Sequence, residues 1–368
     1  MISWLSKSGV KWRHTRGYPD YYPDKAGGVI GRSIEGEVFN LKKLGDWQDR
    51  LLNRPGSRDI ALYCNEYQLL ALFLSTWKSI GTIVQAVLWR TYARQLLGQK
   101  PVTMGKNLIA QLMLLCKNRG IVIWRESPLV ELLVENHKVA GAVVHRRGTL
   151  MNVLANKGVL LCAGGFAQNT AMRQAYTDAS ISNKWTSVPP GDMGDAVKAG
   201  EKVGGALALM DEAWWGPTFI DPATDQRHFS VVERALPHSI IVDSQGERYM
   251  NEAQSYVDCG HAMFERDKEV SAIPSWFVFD SRHRKRYLLG SFLPGAAPEA
   301  ALKSGFIVKA ESVEELAEKT GIVSIFDFFV FTLEKLRNNA SSIYLLPLLT
   351  FQRSIELPCV QIPSVSCY

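Results

Sequence analysis

The chain has 368 residues, of which 46% are hydrophobic and 21% charged, and its net charge is +6. Such a length allows two domains and a sizeable core, and the composition is that of a globular chain rather than a disordered or fibrous one. No apolar run reaches 18 residues, so no transmembrane helix is expected, and scattered Lys and Arg without an aromatic stacking motif argue against nucleic acid as a partner.

In chain order, Met1–Ser8 reads as the last turns of a helix, followed by a loop rich in Tyr, Pro, Asp and Gly to about Arg32. Glu66–Trp77 and Ile80–Leu97 carry helical spacing, with an interruption near Ser79-Ile80-Gly81. Gly105–Lys117 predicts an amphipathic helix with Leu108, Ile109, Leu112 and Leu115 on one face. Gly120–Trp124, Leu129–Val134 and Val139–Val144 read as short β segments leading through Thr149–Leu154 into Lys157–Asn169. There Gly158–Cys162 is continuously apolar and reads as a buried strand. Ala163-Gly164-Gly165 follows at its carboxyl end, where open α/β sheets place ligands. Glycines let a backbone approach something flat or phosphorylated, and they serve equally well in a turn that needs them for geometry alone.

Gly191-Asp192-Met193-Gly194-Asp195 then opens a helical pattern (Ala196, Val197, Ala199, Gly200, Val203) that stops at Gly204-Gly205. Asp195 falls in the first turn, where a carboxylate can cap the helix or reach a ribose hydroxyl. Trp214-Trp215-Gly216-Pro217 marks a domain crossover, and His238–Val242 with Arg248–Met250 flank a turn at 244–247 as a β-hairpin. The basic run Arg282–Arg286 fits an anion site or, more simply, a solvated helix face. Six cysteines form no C-x-x-C pair and no Cys/His ligand spacing, so neither a metal site nor a disulfide framework is expected. Cys162 and Cys259 read as reduced thiols, no signal peptide is visible at Met1–Val10, and a cytoplasmic location follows as the expectation.

The segments LLCAGGFAQNTAMRQ, GDMGDAVKAGEKVGGALALMDEAWWGPTF and IIVDSQGERYMNEAQSYVDCGHAMF resemble FAD-dependent 3-ketosteroid Δ1-dehydrogenases, within the fumarate reductase/succinate dehydrogenase flavoprotein superfamily. GYPDYYPDKAGGVIGRSIE and WFVFDSRHRKRYLLGSFLPG extend the resemblance over about residues 1–321. It implies an α/β fold: an incomplete, Rossmann-like FAD-binding domain at 1–216, a smaller α+β substrate domain at 217–322, and a divergent tail at 323–368. It also implies FAD as cofactor, a steroid substrate dehydrogenated between carbons 1 and 2, and a separate electron acceptor. No G-x-G-x-x-G occurs in the sequence, and the family's closing Tyr-Pro-Gly-Gly segment does not appear. The expectation is therefore a chain truncated at both ends that holds FAD weakly and turns over little.

By resemblance Tyr256, in NEAQSYVDCG, matches the tyrosine that abstracts the proton next to the ketone. Tyr21, in PDYYP, matches the tyrosine that eases its ionisation, with Tyr22 leaving that assignment open by one position. Ala163, Gly164, Gly165, Gly194, Asp195 and Leu129 take cofactor-facing positions, and Gly191 accompanies them. Trp214, Trp215 and Phe219 would line a flat apolar steroid cleft. As residue types, each tyrosine also suits packing at a domain edge, and each of the three aromatics suits the core. Arg248 and Asn251-Glu252 would brace the Tyr256 loop. Two other functions stand beside this one: a non-catalytic remnant, and a fumarate-reductase-like enzyme. The latter needs an Arg acid and His/Arg clamps, which NEAQSY does not offer.

Overall fold

Small antiparallel ladders occupy the first 210 residues and one six-stranded sheet the remainder. The computed structural model describes residues 1–51, 60–72, 76–177, 181–221, 225–290, 292–296, 299–322 and 343–353. Helix α1 (Ile2–Lys7) leads into β1 (Trp12–His14), which pairs with β2 (Ile34–Gly36); β3 (Phe39–Asn40) pairs with β4 (Pro101–Val102). Helix α2 (Cys64–Ala71) precedes α3 (Trp77–Val84), which runs on as a π-helical stretch, Gln85–Ala93, into α4 (Arg94–Leu96). The helix break thus falls before Trp77 and not at Ser79–Gly81. Thr76 Oγ1 accepts from the Ser79 amide at 3.1 Å and Ser79 Oγ accepts from the Thr76 amide at 3.2 Å. Ser79 starts the helix as part of a capping box.

Helix α5 (Met104–Asn118) forms where expected, but a different face turns inward. Asn107, Ala110 and Gln111 are buried, while Leu108 and Ile109 remain 36% and 49% exposed. The two amides settle this by satisfying backbone. Gln111 accepts from the Lys11 amide at 2.9 Å, and Asn107 donates to the Glu37 carbonyl while accepting from Gln111 at 2.7 Å.

Strands β5 (Leu129–Glu135), β6 (Lys138–Arg146) and β7 (Thr149–Leu154) form the expected meander. Gly120–Trp124 and Gly158–Cys162, by contrast, are not strands. Val122 is 77% and Leu160 72% exposed, and Cys162 is exposed rather than buried. A continuous apolar strand needs ladders to satisfy its amides and layers to cover both faces. Among the described residues no strand lies beside either run, and every ladder is antiparallel, so the parallel, Rossmann-like arrangement is not seen there. Val159 and Leu161 instead pack inward on the cluster of Leu132, Ala142 and Ala199.

Helix α6 (Thr170–Tyr176) is followed by α7 (Asp195–Lys202), which buries Ala196, Val197, Ala199 and Gly200 as its periodicity predicts. It ends where the glycines stop it. Gly205 N–H reaches the Gly200 carbonyl and Gly204 N–H the Glu201 carbonyl, both at 2.9 Å, with Gly204 at φ +88°.

The large sheet contains β8 (Trp214–Asp221), β9 (Gln226–Phe229), β10 (Ser239–Val242), β11 (Ser275–Asp280), β12 (Val308–Ala310) and β13 (Ile343–Arg353). Its order is β10-β11-β13-β8-β9, with β12 also on β13. Strand β8 begins before the boundary expected at 216/217, and β13, within the expected tail, is the central strand; the remainder of 323–368 lies outside the described residues. Pro347, with no N–H to give, falls between the β12 partners at 343–345 and the β8 partners at 349–353, where no strand among the described residues pairs with that edge of β13. The hairpin expected from β10 shrinks to a single bridge, Val242 to Arg248, because β10 takes β11 as its ladder partner.

Helices α8 (Tyr256–Asp267), α9 (Ser281–Arg286), α10 (Glu299–Lys303) and α11 (Val313–Thr320) cover this sheet. Gly260 lets α8 lie directly on β8: a Cβ there would stand 2.2 Å from Trp215 Cβ. The basic run in α9 is not a solvated face. His283 and Arg284 are buried, and Arg284 donates to the carbonyls of Tyr287, Leu293 and Ala296, tying the following loop to the helix.

Candidate active site

Tyr256 opens α8, and across from it stands Tyr21, carried by the amino-terminal loop. Their rings meet edge to face with centroids 5.3 Å apart, and Phe229 of β9 approaches Tyr256 from another side at 5.0 Å. The neighbour Tyr22 turns elsewhere and donates to Asp258 Oδ1 at 3.1 Å, so it ties the same loop to the first turn of α8. Of the two candidates, it is Tyr21 that touches Tyr256. Both Tyr21 and Tyr256 line a cleft of about 670 Å³, together with Tyr18, Cys64, Tyr67, Met104, Val232, Arg234 and Leu236. That volume lies within the ~300–1,000 Å³ usual for small-molecule sites.

The loop before α8 is fixed by polar contacts. Asp243 Oδ1 accepts from the amides of Gln245 and Glu247 at 2.9 and 3.0 Å, shaping the turn after β10. Arg248 then reaches both carboxylate oxygens of Glu252, at 2.9 and 2.6 Å, and Glu252 Oε1 also accepts from the Ile241 amide at 2.9 Å. Arg248 and Glu252 thus hold the segment that precedes α8 to β10.

Arg234 is the residue that the sequence did not single out. It sits on the short 3-10 turn Glu233–Ala235 and is 4% exposed. Its Nη1 donates to the Glu252 carbonyl and lies 3.4 Å from Cys259 Sγ, while its Nε is buried with no partner. Burial pushes its pKa down, and the negative forms of Cys259, Glu233, Glu252 and Tyr256 push it back up. Burial also raises the pKa of the neighbouring Glu233, against hydrogen bonds from its own amide and those of Val232 and Gly290.

The residues of the glycine turn are not among those that line this cleft. Gly165 accepts from the Gly194 amide at 2.9 Å, so the turn after Cys162 and the amino end of α7 are in direct contact. Asp192 joins them by accepting from the Ala167 amide at 3.3 Å, and the space a Gly164 Cβ would take is filled by Asp192 Oδ1 at 2.7 Å. Gly194, at φ +81°, is buried, with Met172 and Phe166 where its Cβ would be. These two glycines are thus demanded by the turn and its packing. Ala163, Gly164, Gly191 and Asp195 are exposed and Leu129 is half-buried. Around the Gly165–Gly194 contact, Ala163, Gly164, Gly191 and Asp195 leave an open shelf with one carboxylate.

Two of the three proposed cleft aromatics are elsewhere. Trp215 and Phe219 are 4% and 1% exposed: Trp215 packs on Phe264 at 4.5 Å, and Phe219 on His228 at 5.1 Å and Phe306 at 6.3 Å. Positions 215, 217 and 219 alternate onto one face of β8, and that face is core. Only Trp214, 43% exposed, keeps a surface that could meet a ligand. Among the described residues no group of His, Cys, Asp or Glu could hold a metal ion, and no helix is long and apolar enough to cross a membrane.

The fold and the sequence have counterparts among known proteins. The chain belongs to the FAD binding domain family, whose model matches residues 1–339. It is 35% identical over 363 residues to the 3-oxosteroid 1-dehydrogenase of Mycolicibacterium smegmatis, covering 93% of this chain and 62% of that protein. Against the 3-oxosteroid 1-dehydrogenase of Mycobacterium tuberculosis (strain H37Rv) the identity is 35% over 336 residues, 88% of this chain and 59% of that one. The chain thus spans about three fifths of the length of these relatives. The fold matches the crystal structure of the 3-ketosteroid delta1-dehydrogenase from Sterolibacterium denitrificans in complex with 1,4-androstadiene-3,17-dione with a TM-score of 0.86. That match has 23% sequence identity and covers 95% of this chain and 72% of the other.

Proposed function

We propose that this chain carries the proton-abstracting half of a 3-ketosteroid 1,2-dehydrogenase site, with Tyr256 as base and Tyr21 as its partner. The single observation that carries the reading is the Tyr21–Tyr256 ring contact on the wall of a 670 Å³ cleft. A ketone acidifies the adjacent C–H bond. Tyr256, as phenolate, would take that proton, forming its own O–H bond while the C–H electron pair moves toward the carbonyl. FAD, when bound, would supply the two-electron acceptor for the hydrogen leaving the neighbouring carbon, with a separate acceptor needed to reoxidise it. Ala163, Gly164, Asp195 and Leu129 would meet the cofactor along the open shelf.

A steroid is rigid and largely apolar, which suits tyrosine, methionine and aliphatic walls. The fumarate-like alternative needs paired cations for two carboxylates, and Arg234 is the one cationic side chain among the described residues that line the cleft. The remnant alternative predicts a folded chain without turnover. The deciding experiment supplies FAD, a dye acceptor and a 4-ene-3-ketosteroid to the purified chain and identifies the product. The expected result is slow formation of a 1,4-diene-3-ketone that falls to background in Tyr256→Phe. Turnover of fumarate instead would move the assignment to the other branch, and no turnover of either would favour the remnant.

A further inference from the structure

The cleft holds a buried cation that nothing in the reading above uses. Arg234 is sealed from solvent, yet no carboxylate oxygen pairs with it among the described residues. The acids around it are engaged elsewhere. Glu252 is bound bidentately by Arg248 and by the Ile241 amide, and the Glu233 carboxylate accepts from the Val232 amide at 3.2 Å. Glu233 and Glu252 lend it charge from nearby but neither forms an ion pair with it, and a buried guanidinium so weakly compensated is costly, so a fold retains one mainly where it acts on something else.

The position of Arg234 indicates what that is. Its Nη1 is anchored on Cys259 Sγ at 3.4 Å, and Cys259 stands three residues after Tyr256, on the same side of α8. Its Nε points into no acceptor, and its side chain lines the same cleft as the tyrosine. We infer that Arg234 is a positioning residue for Tyr256: its fixed positive charge, held against the first turn of α8, stabilises the phenolate of Tyr256 and makes it available as a base near neutral pH.

This inference rests on Tyr256 being the proton acceptor and adds the group that makes it one. The other titratable groups facing Tyr256 do not supply a cation. The amino-terminal loop brings Tyr18, Tyr21 and Tyr22, the far wall Cys64 and Tyr67, the 3-10 turn Glu233, the preceding loop Glu252, and α8 itself Asp258 and Cys259. Each of these is neutral or negative when ionised. The tyrosine's position at the amino end of α8 adds a smaller favourable field.

The test reads Tyr256 directly and needs neither cofactor nor turnover. The 368-residue chain and its Tyr256→Phe variant are titrated by ultraviolet difference absorbance, so that the difference isolates Tyr256, with circular dichroism marking the pH range over which each remains folded. The pair is then repeated with Arg234→Gln, Arg234→Lys and Cys259→Ala. Arg234→Gln is expected to raise the pH at which Tyr256 ionises by about 1 to 3, the range produced by a nearby opposite charge. Arg234→Lys should restore most of that shift, and Cys259→Ala, which loosens the guanidinium from α8 without removing it, should give a smaller rise in the same direction. An unchanged midpoint in the Gln and Ala variants would overturn the inference, as would equal shifts in Gln and Lys, which would mean packing and not charge. Steroid turnover that survives Tyr256→Phe while the titration still moves would sink the base assignment alone.

Discussion

The two parts of the molecule differ in how far their apolar residues are covered. In the six-stranded part, Phe219, Ile241, Met263, Phe277, Phe279 and Leu289 are all at 1% exposure or below. In the first 210 residues the cores are smaller, and Val122, Leu150, Leu154 and Leu160 stand between 67% and 77% exposed. The lesson is about ladders. Strands β10, β11 and β8 each find partners within the chain, whereas the equally apolar runs at 120–124 and 158–162 find none among the described residues and are irregular. Hydrophobicity alone did not make them strands.

The contrast can be broken most forcefully in the large core. Phe219→Ala removes a fully buried ring stacked on His228, and should cost about 3–5 kcal/mol in a denaturant titration. Should that variant stay as stable as the parent and merely bind steroid more weakly, Phe219 would be a cleft residue after all.

His283 gives a smaller, pH-dependent effect. It is 0% exposed, and burial lowers its pKa from 6.5 to about 3. The unfolded chain therefore takes up a proton below about pH 6.5 that the folded chain refuses until about pH 3. Stability is fully present above 6.5 and is lost as the pH falls through that window. His283→Phe should flatten the decline between about pH 6.5 and 5, above the carboxylate range; an unchanged slope would mean His283 is hydrated.

The smallest effect belongs to the amino-terminal part. Leu160→Ser, at a 72% exposed position, should change stability by about 0.5 kcal/mol or less while raising solubility. A loss of several kcal/mol there would show that the 158–162 run is a packed strand, and the two regions would then be alike.

Much of this contrast could be read from the sequence. The β5–β7 meander announced itself through short apolar segments, and α7 through Asp195 at its start and Gly204-Gly205 at its end. Other features depend on partners distant in sequence. Asn107 and Gln111 turned α5 over because they satisfy backbone at Glu37 and Lys11, some 70 and 100 residues away. Strand β13 entered the sheet from a segment with no motif to place it.

The site was legible mainly by resemblance. PDYYP and NEAQSY carried Tyr21 and Tyr256, which no local pattern would have joined across 235 residues. The alternation of Trp215, Pro217 and Phe219 did carry a signal, since residues two apart share a face and so share a fate. Arg234 gave none, because an arginine in VVERALP looks like any surface arginine until its burial is known.

The central claim is that Tyr256 removes the proton next to a steroid ketone, and that step can be observed apart from electron transfer. The measurement is the exchange of the carbon-2 hydrogens of a 4-ene-3-ketosteroid with deuterated solvent, followed by mass spectrometry, in the presence of the 368-residue chain. The account predicts exchange above the buffer rate with the parent chain, falling by about 10²-fold or more in Tyr256→Phe. Equal exchange by the two proteins, with the steroid demonstrably bound to both, would contradict it.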